Sequence, residues 1–88
     1  MIKRKVTVKN ASGIHARPAS MIVKEASRYE SDFYVHLYGY RINGKSILGL
    51  LTLAAEMGSE IELEMNGPDE QEAMDSMVSL FENSFRKE

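Results

Sequence analysis

Gly13-Ile14-His15-Ala16-Arg17-Pro18-Ala19-Ser20 is the stretch from which the rest of the chain can be read. Pro18 belongs in the first turn of a helix, where its missing N–H would have had no partner anyway. His15 therefore stands at a helix entrance, beside backbone N–H groups that collect anions. An imidazole there can act as a nucleophile. An anionic group that it acquires would be held by the N–H groups of Ala16 and Arg17 and by the Arg17 guanidinium. Covalent acceptance of a phosphoryl group is the chemistry this arrangement suits. The plainer alternative is a histidine that only caps the helix, although imidazole is a weaker cap than Ser or Asp.

Upstream of this stretch, Ile2 to Lys9 alternates, with Ile2, Val6 and Val8 on one face and Lys3, Lys5, Thr7 and Lys9 on the other. This is the pattern of a half-buried strand, with Arg4 as the one break in its inner face. Asn10 to Gly13 makes a turn. Downstream, Ala19, Ile22, Val23 and Ala26 recur at helical spacing and predict a buried stripe on a helix reaching about Tyr29. Met21 lies off that stripe beside Arg17 and Lys24, and an exposed methionine between two cations suits either partner docking or a tolerated surface position.

The remaining elements follow in order. Phe33 to Tyr38 predicts a second strand, with Phe33, Val35 and Leu37 inward and His36 on the polar side as surface decoration. Gly39 turns the chain into a short third strand, Tyr40 to Ile42. Ser46 is a natural N-cap for a second helix from Ile47 to about Glu56. The apolar residues of that helix go nearly all the way round, so some must be exposed, first among them Ile47 and Leu48. Glu60 to Met65 alternates as a fourth strand with three solvated acids outward, and a third helix runs from Glu70 to about Phe85. Met74, Met77, Val78, Phe81 and Phe85 form its stripe, with Arg86 and Lys87 beyond its end. The order β-α-β-β-α-β-α predicts an α/β two-layer domain spanning residues 1–88, with three helices on one face of a mostly antiparallel sheet.

Composition removes several classes of function. The 88 residues are 43% hydrophobic and 27% charged, as in an ordinary soluble globular domain. There is no cysteine and there are two distant histidines, which argues against disulfides and zinc sites. Neither a secretory signal core nor an apolar run of membrane-spanning length is visible, so the expected location is the cytoplasm, with no membrane insertion. Residues 1–55 carry nine Lys/Arg against three acids, and residues 56–88 carry two against ten. A basic front half suits an anionic substrate or an acidic partner; the alternative is a solvated surface whose charges sort by element. Tyr34, Tyr38, Tyr40 and Arg41 could stack on single-stranded nucleic acid, but the overall acidic chain disfavours it, and no nucleic-acid partner is expected. Gly39 to Ser46 also spells the phosphate-binding P-loop pattern. Its interior, Tyr40-Arg41-Ile42, is strand-like, and 88 residues leave no room for the rest of a nucleotide-hydrolysing core.

Two motifs carry a resemblance. Gly13 to Ser20 and Lys45-Ser46-Ile47-Leu48-Gly49-Leu50-Leu51 closely resemble the active-site and regulatory-serine motifs of the HPr family, histidine phosphocarriers of the bacterial phosphoenolpyruvate-dependent phosphotransferase system. The likeness in length and element order extends over essentially the whole chain. It implies an open-faced β-sandwich with a four-stranded antiparallel sheet. It implies that His15 accepts a phosphoryl group on Nδ1 from Enzyme I and passes it to a histidine of an Enzyme IIA domain, with Arg17 neutralising the phosphoryl oxygens. Ser46 would be phosphorylated by an HPr kinase/phosphorylase in bacteria that have one; capping alone is the other account of it. Met21, Lys24, Ile47, Leu48 and Leu51 occupy the positions of the family's partner surface.

The same resemblance implies a monomeric relay protein rather than an enzyme with its own turnover. It would need no metal or organic cofactor, any Mg²⁺ belonging to Enzyme I or to a kinase. The chain departs from the family at Tyr40, where a basic or small polar residue is frequent, and at Glu56-Met57, where a basic residue is common. Gly49 to Ala55 and Ser79 to Phe85 are also similar to NPr, the nitrogen-related regulatory branch, which is the alternative role. His15 separates the chain from family members that keep only the serine.

Overall fold

The computed structural model describes residues 1–86; Lys87, expected beyond the third helix, lies outside them. The elements are β1 Ile2–Thr7, α1 Ala16–Ala26, β2 Asp32–Leu37, β3 Tyr40–Asn43, α2 Ile47–Leu53, β4 Glu60–Asn66 and α3 Glu70–Glu82. The four strands form one antiparallel sheet in the order β1-β4-β2-β3. The last strand in sequence thus sits between the first two. Its inward residues Ile61, Leu63 and Met65 face Val6 on one side and Val35 and Phe33 on the other, all buried.

All three helices cover the same face of this sheet. α3 lies over β1 and β4, α2 lies against β3, and α1 packs against both other helices. The stripe of α3, Met74, Met77, Val78 and Phe81, is buried together with Ile22 and Ala26 of α1 and Leu50 and Leu53 of α2. Arg4, the break in the inner face of β1, is opposite Leu63 but lies on an edge strand and is exposed.

The helices stop earlier than periodicity alone suggests. α2 ends at Leu53 because Ala54 turns left-handed, with φ 51°, instead of continuing to Glu56. α3 ends at Glu82, and Ser84 and Phe85 both adopt positive φ. That reversal folds Phe85 back into the core, where its ring meets Phe81 edge-on at 4.8 Å. Apolar spacing marks Phe85 as buried but does not distinguish a further helical turn from a chain reversal that buries the same ring.

The P-loop pattern is resolved by geometry. Its interior is β3, and the Gly44 N–H donates to the Phe33 carbonyl at 2.7 Å. A Cβ on Gly44 would lie 2.1 Å from the Phe33 ring, so that glycine serves close packing, and there is no phosphate-wrapping loop.

The uncovered face of the sheet corrects two expectations. Register sets basic β1 beside acidic β4, Lys3 opposite Glu64 and Lys5 opposite Glu62, so part of the charge asymmetry faces itself across one strand pair. Glu64 is not solvated: it is 5% exposed and bonded by two side chains, one from β2 and one from β3. His36 is not decoration, since its Nε2 lies 2.7 Å from Glu64 Oε1. Arg41 Nη2 donates to Glu64 Oε2 at 3.1 Å while its guanidinium lies over the Tyr34 ring at 3.6 Å. These partners, Arg41 first and His36 second, hold the Glu64 carboxyl below its ordinary value of 4.5 despite the burial that opposes it.

A depressed folded-state value means that this carboxylate stabilises the fold above 4.5, and that the stabilisation fades as pH falls from there through the folded value. Asp69, held down by Ser31, and Glu70, held down by the Gly67 N–H, act in the same direction. A Glu64→Gln protein is expected to melt ~4–8 °C lower at neutral pH and to lose less on acidification than the parent. Parallel Tm-against-pH curves for the two proteins would contradict this.

Candidate functional site

The loop carrying His15 is built by backbone bonds. Gly13 N–H donates to the Asn10 carbonyl at 3.1 Å, and Asn10 Nδ2 donates back to the Gly13 carbonyl at 2.5 Å. Gly13 has φ +69°, and a Cβ there would lie 2.3 Å from the Ala55 carbonyl oxygen, a backbone atom with little room to move. The Ile14 N–H donates to that same oxygen at 2.9 Å, and its side chain is buried. The site loop is thus seated on the segment just after α2. Motif reading does not reveal Ala55 as a positioning residue, because its contribution is a carbonyl.

His15 has extended backbone (φ −104°) and is the N-cap of α1, its carbonyl accepting the Ala19 N–H at 2.9 Å. Its imidazole makes no capping hydrogen bond and is exposed. The capping account of His15 is therefore not realised. Among the described residues no protein acceptor takes the N–H of Ala16 or Arg17, and Pro18, the third residue of the helix, has none to offer. Two open donors and the positive end of an eleven-residue helix lie next to an unengaged imidazole.

Arg17 is held at one edge of its fork. Nη1 donates to the Phe85 carbonyl at 3.1 Å and rests 3.0 Å from Met21 Sδ, while Nε and Nη2 have no partner among the described residues. The reversal after α3 therefore supplies the carbonyl that restrains Arg17, a link across 68 positions. Met21 is half-buried and packed against the core, correcting the expectation of an exposed side chain. Arg17, Ser20, Met21 and Lys24 line an open cleft of about 500 Å³ between α1 and Leu80 of α3. Farther along it, Arg28 pairs with Glu25 at 3.0 Å, which leaves Arg17 and Lys24 as the cations nearer the helix start.

Ser46 is the N-cap of α2: its Oγ accepts the Gly49 N–H at 3.0 Å and its carbonyl accepts the Leu50 N–H at 3.0 Å. Beyond it Ile47, Leu48 and Leu51 are 43%, 74% and 37% exposed, as an all-round apolar helix on a small sheet requires. Because α2 packs on α1, the expected interface residues fall on two adjoining helices that also border the His15 loop. Met57, Tyr38 and Tyr40 are exposed as well, the two tyrosines on the hairpin between β2 and β3. Among the described residues, no group of three or more His, Asp or Glu side chains could hold a metal ion, and no helix is long and apolar enough to cross a membrane.

Comparison with known proteins agrees with this geometry. The family model described as the PTS HPr component phosphorylation site matches residues 2–83. The Phosphocarrier protein HPr of Treponema pallidum is 44% identical over 88 residues, covering both chains completely. The HPr-like protein Crh of Bacillus subtilis is 42% identical over 79 residues, covering 90% of this chain and 93% of its own. The crystal structure of HPr from Thermoanaerobacter tengcongensis superposes with a TM-score of 0.95 at 36% identity, covering 100% of this chain and 99% of that one. These names lend no added support to the nitrogen-branch alternative. With the open sheet, the His15 loop and full-length similarity in agreement, the chain belongs to the HPr family of phosphotransferase-system phosphocarriers.

Proposed function

We propose that His15 is the acceptor atom's residue in a phosphoryl relay from phosphorylated Enzyme I to a histidine on an Enzyme IIA domain. The observation that carries this is the unengaged imidazole beside two open backbone donors at the start of α1. In the step, a ring-nitrogen lone pair of His15, the Nδ1 that family likeness indicates, attacks the phosphorus on the donor histidine. The donor's P–N bond breaks and its electron pair returns to that ring. The phosphoryl oxygens then meet the N–H groups of Ala16 and Arg17 and the open donors of the Arg17 guanidinium, which require little reorganisation. Docking uses Met21, Lys24, Ile47, Leu48 and Leu51, and the relay operates in the cytoplasm as a monomer comprising one domain over residues 1–88.

The test is incubation with a cognate Enzyme I, Mg²⁺ and phosphoenolpyruvate, followed by intact mass and site mapping. One acid-labile phosphoryl group on residue 15 is the expected result. No uptake with an Enzyme I of proven activity would sink the relay.

Ser46 is the proposed regulatory site, phosphorylated by an HPr kinase/phosphorylase. Its hydroxyl already sits at a helix start that tolerates negative charge, next to the exposed Ile47 and Leu48. A Ser46→Asp protein keeps an N-cap acceptor and should retain its stability within about 0.5 kcal/mol. Its KM as a substrate of Enzyme I should rise several-fold; an unchanged KM would leave Ser46 as a cap alone.

A further inference from the structure

Asn10 lies upstream of the Gly13 to Ser20 stretch and reaches into it with its side chain. Among the described residues it makes the only side-chain hydrogen bond onto residues 11–16, Nδ2 donating to the Gly13 carbonyl at 2.5 Å. The turn is already closed without that bond. The Gly13 N–H donates to the Asn10 carbonyl at 3.1 Å, and the Ile14 side chain is buried in the core. Closing the turn therefore does not account for the amide.

The carbonyl that Asn10 bonds belongs to the peptide unit joining Gly13 to Ile14. The N–H of that same unit donates to the Ala55 carbonyl at 2.9 Å. A rigid peptide plane with a partner at each end cannot swing without losing a hydrogen bond. The Gly13 oxygen also accepts the His15 N–H at 3.2 Å, across a three-residue turn centred on Ile14. On its other side, His15 is tied by its own carbonyl to the Ala19 N–H at 2.9 Å. The backbone that carries the imidazole is thus held between the start of α1 and one carbonyl, and Asn10 aims that carbonyl. The ring makes no capping bond, so its place follows from this backbone and its own rotamer. Asn10 Oδ1 is buried, and no protein donor among the described residues reaches it. What the protein takes from this amide is its donor.

We propose that Asn10 is a positioning residue for phosphoryl transfer: by fixing the Gly13 carbonyl it places the His15 ring against the N–H groups of Ala16 and Arg17. The inference rests on the reading of His15 as acceptor, and Asn10 acts through Gly13 rather than on the phosphoryl group. Ala16 and Arg17 are rigid with α1, whereas His15 stands one residue before it. The distance from the attacking nitrogen to the donors that receive the phosphoryl oxygens is therefore set by the loop. A misplacement of about 1 Å in such a geometry costs on the order of 10² in rate.

The test mixes phosphorylated Enzyme I with an excess of this chain under rapid quench, giving a saturating transfer rate and a half-saturating concentration. Asn10→Leu keeps the shape of the amide and, because Oδ1 has no protein donor, removes the one bond. Asn10→Ala removes the bond and the volume. Both are expected to lower the saturating rate ~10-fold with half-saturation within twofold of the parent's, a loss in the transfer step and not in docking. Tm should fall by no more than ~8 °C, the scale of one hydrogen bond. A saturating rate within twofold of the parent's in Asn10→Leu, whatever its Tm, makes Asn10 a turn residue and overturns the proposal while the His15 relay stands. A loss confined to half-saturation, or one that Asn10→Ala does not share, overturns it as well. Absence of phosphorylation in the parent protein overturns both readings.

Discussion

The His15→Ala protein is expected to take up no phosphoryl group from Enzyme I and to melt within about 2 °C of the parent. The two halves of that result have one structural cause. The imidazole is exposed and caps nothing, so its removal deletes no bond from the fold. The donors that would hold the phosphoryl group belong to the backbone of Ala16 and Arg17 and survive the substitution, yet they hold no nucleophile. The other histidine is no substitute, because its Nε2 is taken up with Glu64 on the far face of the sheet. Intact mass and calorimetry on the two proteins check both halves. Acid-labile uptake by the variant would move the acceptor elsewhere and remove the basis for the relay.

Replacing Arg17 by alanine is expected to lower kcat/KM for phosphoryl uptake ~10²–10³-fold, the usual cost of removing a donor aimed at developing negative charge. Arg17 serves two masters in the structure: Nη1 is held by the Phe85 carbonyl, and the rest of the fork is open. Arg17→Lys should recover part of the rate through charge alone, without the planar fork. Loss of the Phe85 contact should cost no more than about 1 kcal/mol, the scale of one net hydrogen bond. If Arg17→Ala slows uptake less than threefold while lowering Tm, the arginine is a strut between α1 and the end of α3, with no direct part in transfer.

Those two residues were legible in the sequence because their chemistry is local. A proline in a first helical turn and a histidine before it specify a helix entrance, and such an entrance has open N–H groups in any fold. The apolar spacing of Ile22, Ala26, Met74, Met77, Val78 and Phe81 likewise marked faces that are buried. Ile47, Leu48 and Leu51 could be recognised as exposed because a short helix cannot bury residues all round its circumference.

What could not be read were features made by residues distant in the chain. Within its own strand His36 has no partner and Glu64 sits in a row of outward acids; only insertion of β4 between β1 and β2 brings Arg41, His36 and Glu64 together. The ends of α2 at Leu53 and of α3 at Glu82 are not legible in apolar spacing for a related reason. Positive φ at a non-glycine residue is a local cost that is accepted only where the surrounding fold secures it.

The sequence by itself therefore determined the element order, the buried faces and the nucleophile at its helix start, because these depend on periodicity and on the donor inventory of a few consecutive residues. Tertiary structure alone decided the strand order, the carbonyls of Ala55 and Phe85 that seat the His15 loop and restrain Arg17, and the bonds from His36 and Arg41 that tie β2 and β3 to Glu64. Those depend on main-chain atoms and long-range contacts, and a backbone carbonyl has the same chemical identity at every position until the fold aims it.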